Sequence, residues 1–408
     1  MEAKSHQKSL RLPEGALFLL FASVLLPSNA KSIAIGLFAI ISVFHFYKSK
    51  NKFNTRFFLV NGLVFIVVAI TLLYSVNVDF GIKKLTIFLS LILFPLCFAM
   101  YSQEDIKQLH IHLEKYFAVY IVTVALFNVI PFLWFYITHY SFNEMLMHFP
   151  MIMKIHVGKY KIHPIYSGMH CSAAILFSLY VLRSLKSRWK VVGLLIINLV
   201  LVLFLLLYAK KGSIIALMVV SFVFMLFQRN KRLVKPYIFA VVGLLVLLVA
   251  IPRTRDKFLE FKNVEVVTQG TPSSTNIRYT IYGVVIDVIQ DSPIIGYGIG
   301  DYRKELTDRY ELLEIKLLEE KGYNAHNQFL SLLLIGGLIA LLAFLVTLIL
   351  NFIFAVRFNN ELLILVIIFY SIMMLTDNIF EKESGVIYFS LFFNFLSAKT
   401  LFATPINE

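Results

Sequence analysis

Residues 191–228 read VVGLLIINLVLVLFLLLYAKKGSIIALMVVSFVFMLFQ, two long apolar runs joined by a short turn at Lys210, Lys211 and Gly212. A helix that crosses a bilayer needs about 20 predominantly apolar residues, and each run approaches that length. The same criterion predicts about twelve transmembrane helices, and hence an all-α polytopic membrane protein. The predicted spans lie at 14–30, 32–48, 57–76, 82–100, 116–138, 164–183, 190–208, 213–228, 235–251, 327–356, 361–376 and 384–402.

The composition agrees with a membrane protein and excludes an ordinary soluble domain. The chain of 408 residues is 59% hydrophobic and only 15% charged, whereas a soluble domain carries about 25% charged residues. The segment 14–30 resembles a secretory signal, but eleven further predicted spans favour an uncleaved first helix. Cys97 and Cys171 fall inside predicted spans, so we expect two small buried apolar residues rather than a disulfide.

Positive charges in the short connections predict the orientation, because cytoplasmic loops carry an excess of Lys and Arg. Four basic clusters fall on one side if the helices alternate, which places both termini in the cytoplasm. The clusters lie at 4–11, 48–56, 183–190 and 229–235. These anchors and their attraction to anionic lipid explain the net charge of +14, so the high pI does not indicate nucleic-acid binding.

Four segments then face outward: 139–163, 209–212, 252–326 and 377–383. We expect one membrane domain over 1–408, with 252–326 inserted between the ninth and tenth spans. A transporter places costly polar groups near the middle of its spans, whereas the ionisable residues of this chain gather at the outer ends. The pattern favours chemistry at the outer interface on a lipid-linked substrate.

Helical patterns occupy much of the insertion 252–326. Apolar residues at helical spacing over 276–289 predict an amphipathic helix with Arg278 in its first turn and Asn276 as its cap. A second, highly charged helix is predicted at about 301–321.

Between and after these helices lie two further features. The run Gly296-Tyr297-Gly298-Ile299-Gly300 follows no βα unit, so we interpret it as a flexible hinge rather than as a nucleotide-binding motif. His326 stands at the outer end of the tenth span, close to the helix that carries Arg278.

Four motifs lie in the region of roughly residues 160–400: Ala209-Lys210-Lys211-Gly212-Ser213, Asn276-Ile277-Arg278-Tyr279, Asp291-Ser292-Pro293-Ile294-Ile295-Gly296-Tyr297-Gly298-Ile299-Gly300 and Ala325-His326-Asn327-Gln328. In order and spacing this region resembles the O-antigen ligase and O-antigen polymerase superfamily. The resemblance implies an inverting glycosyltransferase of GT-C architecture in a bacterial inner membrane. Such an enzyme takes a glycan from undecaprenyl pyrophosphate on the periplasmic side. A ligase transfers it to lipid A–core, and a polymerase transfers it to another lipid-linked repeat unit.

The resemblance also implies roles for individual residues. His326 would be the base that activates the acceptor hydroxyl, and Arg278 would bind the pyrophosphate. The cation of the short turn, usually Arg in the family, matches Lys211, with Lys210 beside it. Lysine offers a point charge in place of a planar bidentate fork, which leaves open which of the two lysines binds.

Chemistry agrees with these roles. The leaving pyrophosphate needs positive charge, and the predicted outer face holds no Asp-x-Asp pair, so fixed cations are expected to stabilise it without a metal or other cofactor. Imidazole titrates close to neutral pH, which suits a general base. Simpler interpretations stay open: Lys210 and Lys211 snorkelling to lipid phosphates, Arg278 as an exposed cation, and His326 as a capping histidine.

Five further residues are candidates for substrate binding. His163 and Tyr166 begin the sixth span, where they bind glycan or pyrophosphate or simply anchor at the interface. Asn327 follows the candidate base. Glu381 and Glu383, in the last outer connection, either pair with a catalytic cation or are solvated carboxylates.

The Met-rich stretch 145–153 is too short to cross the bilayer and is expected at the outer interface. It lines the path by which the isoprenoid enters, or it packs as a plain interfacial element.

Two classes of function therefore remain. The first is an enzyme, with one large outer loop favouring a ligase over the related polymerase. The second is a transporter or flippase for lipid-linked glycans, which needs a polar cavity at mid-membrane but no base. The sugar, the acceptor hydroxyl and the oligomeric state are not encoded in any recognisable pattern.

Overall fold

The computed structural model describes residues 10–160, 162–227, 243, 245–267 and 272–402, and every regular element with assigned bounds among them is helical. We number the α-helices in chain order. They are α1 Arg11–Ala22, α2 Ser28–Ser49, α3 Thr55–Ile70, α4 Val78–Phe88, α5 Ser90–Ala99, α6 Gln103–Ile111, α7 Leu113–Thr138, α8 Phe142–Ile155, α9 Pro164–Leu182, α10 Arg188–Tyr208, α11 Lys211–Leu226, α12 Pro252–Leu259, α13 Ser274–Asp291, α14 Tyr302–Leu312, α15 Lys316–Lys321, α16 Gln328–Arg357, α17 Glu361–Thr376 and α18 Glu383–Leu401.

Six helices of the described chain are long and apolar enough to cross a membrane, or seven if the pair α4 and α5, bent by 45°, is one span. The six are Ser28–Ser49, Thr55–Tyr74, Leu113–Thr138, Pro164–Leu182, Arg188–Tyr208 and Gln328–Arg357. Three other predicted spans are shorter helices, α1 with 12 residues and α11 and α17 with 16 each. The predicted ninth span, 235–251, lies mostly outside the described residues. A helical membrane protein is therefore supported, while the number twelve stays a prediction.

The helices form two compact units. The first unit comprises the described parts of Met1–Asn54, Cys97–Ile251 and Ala398–Glu408, and the second comprises those of Thr55–Leu96 and Pro252–Ser397.

Helix α9 is central to the first unit, because 78% of its most apolar window is buried, compared with 33% for α10. Pro164 occupies its first position, where a helix does not need the missing N–H. Gly168 lets a neighbouring helix approach closely. Stacked rings of Phe117 and Phe177, 4.1 Å apart, join α7 to α9.

Two smaller expectations about this unit can be compared with the structure. Cys97 and Cys171 are free and buried, which confirms the interpretation of both as small core residues. The Met-rich stretch 145–153 lies in α8, a helix of 14 residues. Met145 is buried and Met147 is exposed, so the helix has one face on the protein and one face away from it.

The second unit contains a break in α16. Gly336 and Gly337 leave helical geometry, and Gly337 has φ 58°, in the left-handed region that favours glycine. Segment 293–298 fills the break through four backbone hydrogen bonds of 2.8–3.3 Å. The backbone groups that the break frees are therefore paired within the protein, as a backbone at membrane depth requires.

The glycine run 296–300 is part of this packed arrangement, and its interpretation as a flexible hinge is wrong. A Cβ on Gly296 would lie 2.7 Å from the backbone nitrogen of Gly337, and one on Gly300 would lie 2.5 Å from the carbonyl oxygen of Asn77. Glycine is needed here because two backbones approach too closely to admit a side chain.

The helices predicted after residue 273 are present with corrected bounds. The first is α13, which begins at Ser274 rather than after Asn276. Its cap is Ser273, whose hydroxyl accepts a hydrogen bond from the amide of Asn276 at 3.1 Å. The charged helix predicted at 301–321 is divided into α14 and α15, with Glu314 at φ 53° between them.

Candidate active site

His326 lies two residues before α16 and has a left-handed backbone, with φ 44°. A positive φ is uncommon for a residue other than glycine. Side chains bind both of its backbone polar groups: the amide donates to Asn324 Oδ1 at 3.1 Å, and the carbonyl oxygen lies 3.1 Å from the hydroxyl of Tyr282. The imidazole is 19% exposed, so it is largely enclosed yet reachable.

Asn327 is the N-cap of α16. Its Oδ1 accepts hydrogen bonds from the amides of Phe329 at 2.9 Å and Leu330 at 3.2 Å, and its Nδ2 donates to the carbonyl of Leu375 at 3.3 Å. These contacts are those of a helix cap, and they fix the backbone on which His326 is mounted. A role of Asn327 in binding substrate stays a prediction.

Asp377 is the residue that sequence reasoning missed. It ends α17 and is only 6% exposed. Its Oδ1 lies 3.7 Å from His326 Nδ1, and its Oδ2 lies 3.7 Å from the guanidinium of Arg278. One carboxylate thus contacts both residues that the sequence singled out in this half of the chain. The available signal was an acidic residue at the outer end of an apolar span.

Arg278 lies in α13, one turn further from the start of the helix than the sequence suggested. Its side chain is 25% exposed, so the guanidinium contacts Asp377 while part of it remains accessible. It is therefore not the freely exposed loop cation that the simplest interpretation proposed.

The charges of this site are complementary, but its hydrogen bonds are incomplete. Burial by itself raises the pKa of a carboxyl, but His326 and Arg278 bring the pKa of Asp377 below its ordinary value. At 3.7 Å both contacts of the carboxylate are longer than hydrogen bonds. Within the described chain, Asp377 Oδ2, His326 Nδ1 and Arg278 Nε have no hydrogen-bond partner. Buried polar atoms in this condition are uncommon and often mark functional sites.

Glu381, a candidate for pairing with a catalytic cation, instead pairs with Lys84 and Tyr302 of the second unit. Its two carboxylate oxygens accept hydrogen bonds of 2.5 Å from Lys84 Nζ and from the hydroxyl of Tyr302. The residue is buried, so it is not a solvated loop carboxylate. Burial raises the pKa of Glu381, but Lys84 and Tyr302 bring it below its ordinary value.

Glu383 is the first residue of α18 and is half-buried. Its Oε2 atom is enclosed and has no hydrogen-bond partner among the described residues. A carboxylate in the first turn also interacts favourably with the helix dipole. Its role in binding substrate stays a prediction.

Lys210 and Lys211 lie in the first unit, at the start of α11. Ala209 ends α10 with φ 49°, Lys210 is the N-cap of α11, and Lys211 is its first residue. Lys211 is only 9% exposed, and a Cβ added to Gly168 of α9 would lie 3.5 Å from Lys210 Cβ. The turn is thus packed against α9 rather than extended into solvent.

His163 and Tyr166 lie at the beginning of α9. His163 is the N-cap, and its Nδ1 accepts from the amide of Ile165 at 3.4 Å. The two rings are 6.5 Å apart, and Tyr166 is 4% exposed. An exposed interfacial anchor would be more accessible than Tyr166 is.

Among the residues that the structure describes, no group of three or more His, Cys, Asp or Glu side chains could hold a metal ion. Arg278, in the second unit, is one cation of the protein that could bind an anion.

Comparison with known proteins adds one result. Residues 196–345 match the family model described as O-Antigen ligase. The matched segment includes Lys210, Lys211, Arg278 and His326 and ends before Asp377. No curated protein matches the chain.

Proposed function

We propose that this chain, whose residues 196–345 match the family model described as O-Antigen ligase, is an inverting glycosyltransferase of GT-C architecture. It would transfer an O-antigen glycan from undecaprenyl pyrophosphate to lipid A–core at the periplasmic face of a bacterial inner membrane. The observation that supports this best is the contact of His326 and Arg278 with one buried carboxylate, Asp377.

The reaction requires a base on one side of the anomeric carbon and positive charge on the other. The acceptor hydroxyl oxygen forms a bond to the anomeric carbon of the donor sugar as the bond from that carbon to the pyrophosphate oxygen breaks. The hydroxyl proton passes to His326, and undecaprenyl pyrophosphate leaves with the electron pair. Arg278 stabilises the charge that develops on the leaving group, and a preorganised cation of this kind accounts for a large part of catalysis.

Asp377 has two roles in this proposal. With the Nδ1 proton of His326 directed at the carboxylate, Nε2 is the atom that accepts the hydroxyl proton. The carboxylate then stabilises the imidazolium that forms, as a buried aspartate does in Ser-His-Asp enzymes. Because Asp377 also faces Arg278, it holds the base and the diphosphate-binding cation in one arrangement.

Lys210 and Lys211 enter the proposal on the family resemblance alone, as further pyrophosphate-binding residues. Lys211 is the better candidate for a fixed contact because it is the more enclosed of the two. We propose that these cations and Arg278 make a metal ion unnecessary, in agreement with the absence of an Asp-x-Asp pair on the predicted outer face.

Transport of a lipid-linked glycan is the second candidate, and one observation favours it. The first unit holds ionisable residues inside its apolar helices: His170 and Lys31 are buried and interact electrostatically, and Tyr120 lies 2.8 Å from His170. Ionisable groups at membrane depth commonly mark a substrate or proton pathway. Transport would not depend on His326, which separates the two functions.

The decisive experiment is reconstitution of the purified chain in liposomes with a polyprenyl-pyrophosphate-linked glycan. Lipid A–core and a second lipid-linked repeat unit are offered separately, with and without a chelator. We expect product on lipid A–core and no effect of the chelator. Product on the repeat unit alone would indicate a polymerase, and loss of activity in the chelator would contradict the metal-independent mechanism.

The matched variants are His326→Ala and His148→Ala, since His148 is an exposed histidine of α8. Removal of a general base lowers the rate by roughly 10²–10⁴-fold, so His326→Ala should nearly abolish transfer while His148→Ala retains it. If His326→Ala kept the wild-type rate, the assignment of His326 as the base would be wrong.

A further inference from the structure

We propose that Tyr282 is a positioning residue that holds His326 in the conformation in which it faces Asp377. This inference rests on the function proposed above and adds a residue outside the motifs that the sequence singled out.

The geometry of Tyr282 places it beside the candidate site. It lies in α13 one helical turn after Arg278, so the two side chains are on the same face of the helix. Its hydroxyl oxygen is 3.1 Å from the carbonyl oxygen of His326 and 3.0 Å from that of Leu375. A hydroxyl donates one proton, so this proton is shared between the two carbonyls.

His326 needs such a contact because its backbone conformation is unfavourable. A residue held at φ 44° persists in that conformation only when its surroundings fix it. The amide of His326 is bound by Asn324 and its carbonyl by Tyr282. Loss of the Tyr282 hydroxyl removes one of these two constraints.

The second carbonyl connects the same hydroxyl to Asp377. Leu375 lies two positions before Asp377, so Tyr282 joins the backbone that carries the base to the backbone that carries the carboxylate. The carbonyl of Leu375 also accepts a hydrogen bond from Asn327 at 3.3 Å. Loss of the Tyr282 hydroxyl should therefore affect the His326 carbonyl more than the Leu375 carbonyl. Burial raises the pKa of Tyr282, and the hydroxyl therefore remains a proton donor at neutral pH.

The test is Tyr282→Phe, which removes the oxygen and keeps the ring. We expect kcat per folded molecule to fall roughly ten- to hundredfold, because a small displacement of a catalytic group has an effect of that size. The KM for the lipid-linked donor should stay within about twofold of wild type, since Arg278 is unchanged. The matched control is Tyr279→Phe in the same helix, whose side chain is 53% exposed, and it should behave as wild type.

A double-variant comparison separates positioning from general damage. If Tyr282 acts through the His326–Asp377 pair, Tyr282→Phe should cause little further loss in an Asp377→Asn background. Wild-type kcat in Tyr282→Phe, or losses that multiply in the double variant, would overturn the inference. Normal activity in His326→Ala would instead contradict the proposed function, so the two failures are distinguishable.

Discussion

Asp377 and Glu381 are buried carboxylates of the same short connection, but their surroundings differ. Glu381 accepts hydrogen bonds of 2.5 Å from Lys84 and Tyr302. Asp377 faces Arg278 and His326 at 3.7 Å. Its Oδ1 accepts a hydrogen bond of 2.9 Å from the amide of Asn378, but its Oδ2 has no hydrogen-bond partner within the described chain. A carboxylate with close side-chain partners on both oxygens has little capacity for a ligand, whereas one with an oxygen that lacks a close partner retains some. The comparison separates a structural ion pair from a candidate active site.

The largest effect is expected on stability, from Glu381→Gln. The substitution leaves the ammonium of Lys84, which is 15% exposed, without its carboxylate. Removal of one partner of a buried ion pair costs on the order of 3–5 kcal/mol. We therefore expect a lower midpoint of thermal unfolding in detergent, with activity per folded molecule close to wild type.

The control for this prediction removes both charges. In the double variant Lys84→Met, Glu381→Gln no ionised group is left unpaired, and much of the lost stability should return. A double variant less stable than either single variant would show that the pair does more than balance charge.

Asp377→Asn should have the opposite profile, with a large loss of activity and a smaller loss of stability than Glu381→Gln. The amide cannot stabilise the imidazolium of His326, and we expect transfer to slow about a hundredfold, equivalent to about 2.7 kcal/mol. Single-turnover assays with equal amounts of folded protein measure this. A stability loss as large as that of Glu381→Gln would indicate that Asp377 is a structural carboxylate like Glu381, and not an active-site carboxylate.

The sequence predicts the helices of this molecule better than their interruptions. Apolar length locates α7, α9 and α10, and apolar spacing locates α13. The break at Gly336 and Gly337 is hidden inside a continuous apolar run, because its backbone partners come from segment 293–298. No local pattern reports such a partner.

The candidate site could be predicted only in part, because local motifs identify some of its residues but not their partners in the folded chain. His326 and Arg278 stand in recognisable motifs, and the structure places both against Asp377. Asp377 stands in no recognisable motif, and its position at the end of an apolar span does not by itself indicate its partners. The partners of Glu381 are Tyr302, 79 residues away, and Lys84, 297 residues away, so their pairing depends on tertiary structure alone.

A smaller effect is expected from Gly300→Ala. Gly300 lies two residues before Tyr302, which donates a hydrogen bond to Glu381. The new Cβ would lie 2.5 Å from the carbonyl oxygen of Asn77, so the backbone before Tyr302 must shift. Overpacking of this kind costs typically about 1–3 kcal/mol. We expect a lower unfolding midpoint with retained transfer activity per folded molecule. The control Gly283→Ala in α13 adds a Cβ with no atom within 4 Å and should not destabilise. If Gly300→Ala lost activity without losing stability, the glycine run would belong to the active-site side of the comparison.

The smallest effect near neutral pH is the dependence of the free energy of unfolding on pH. The pKa values of Asp377 and Glu381 are both lowered in the folded protein, whereas unfolded carboxyls titrate near about pH 4. The unfolded state therefore binds more protons around that pH, and stability rises with pH there. The contribution of these groups is fully present above about pH 4 and is lost as the pH falls through their folded-state pKa values.

We expect the unfolding midpoint of the purified protein to fall below about pH 4 and this fall to be shallower in both Asp377→Asn and Glu381→Gln. Calorimetry over a pH series in one detergent measures the slope. Removal of a carboxyl makes the fall of the midpoint shallower only if its pKa is lowered in the folded protein. A steeper fall in Asp377→Asn would therefore mean that the native carboxyl is protonated. A protonated Asp377 could not stabilise an imidazolium at His326, and the proposed pairing of base and carboxylate would be wrong.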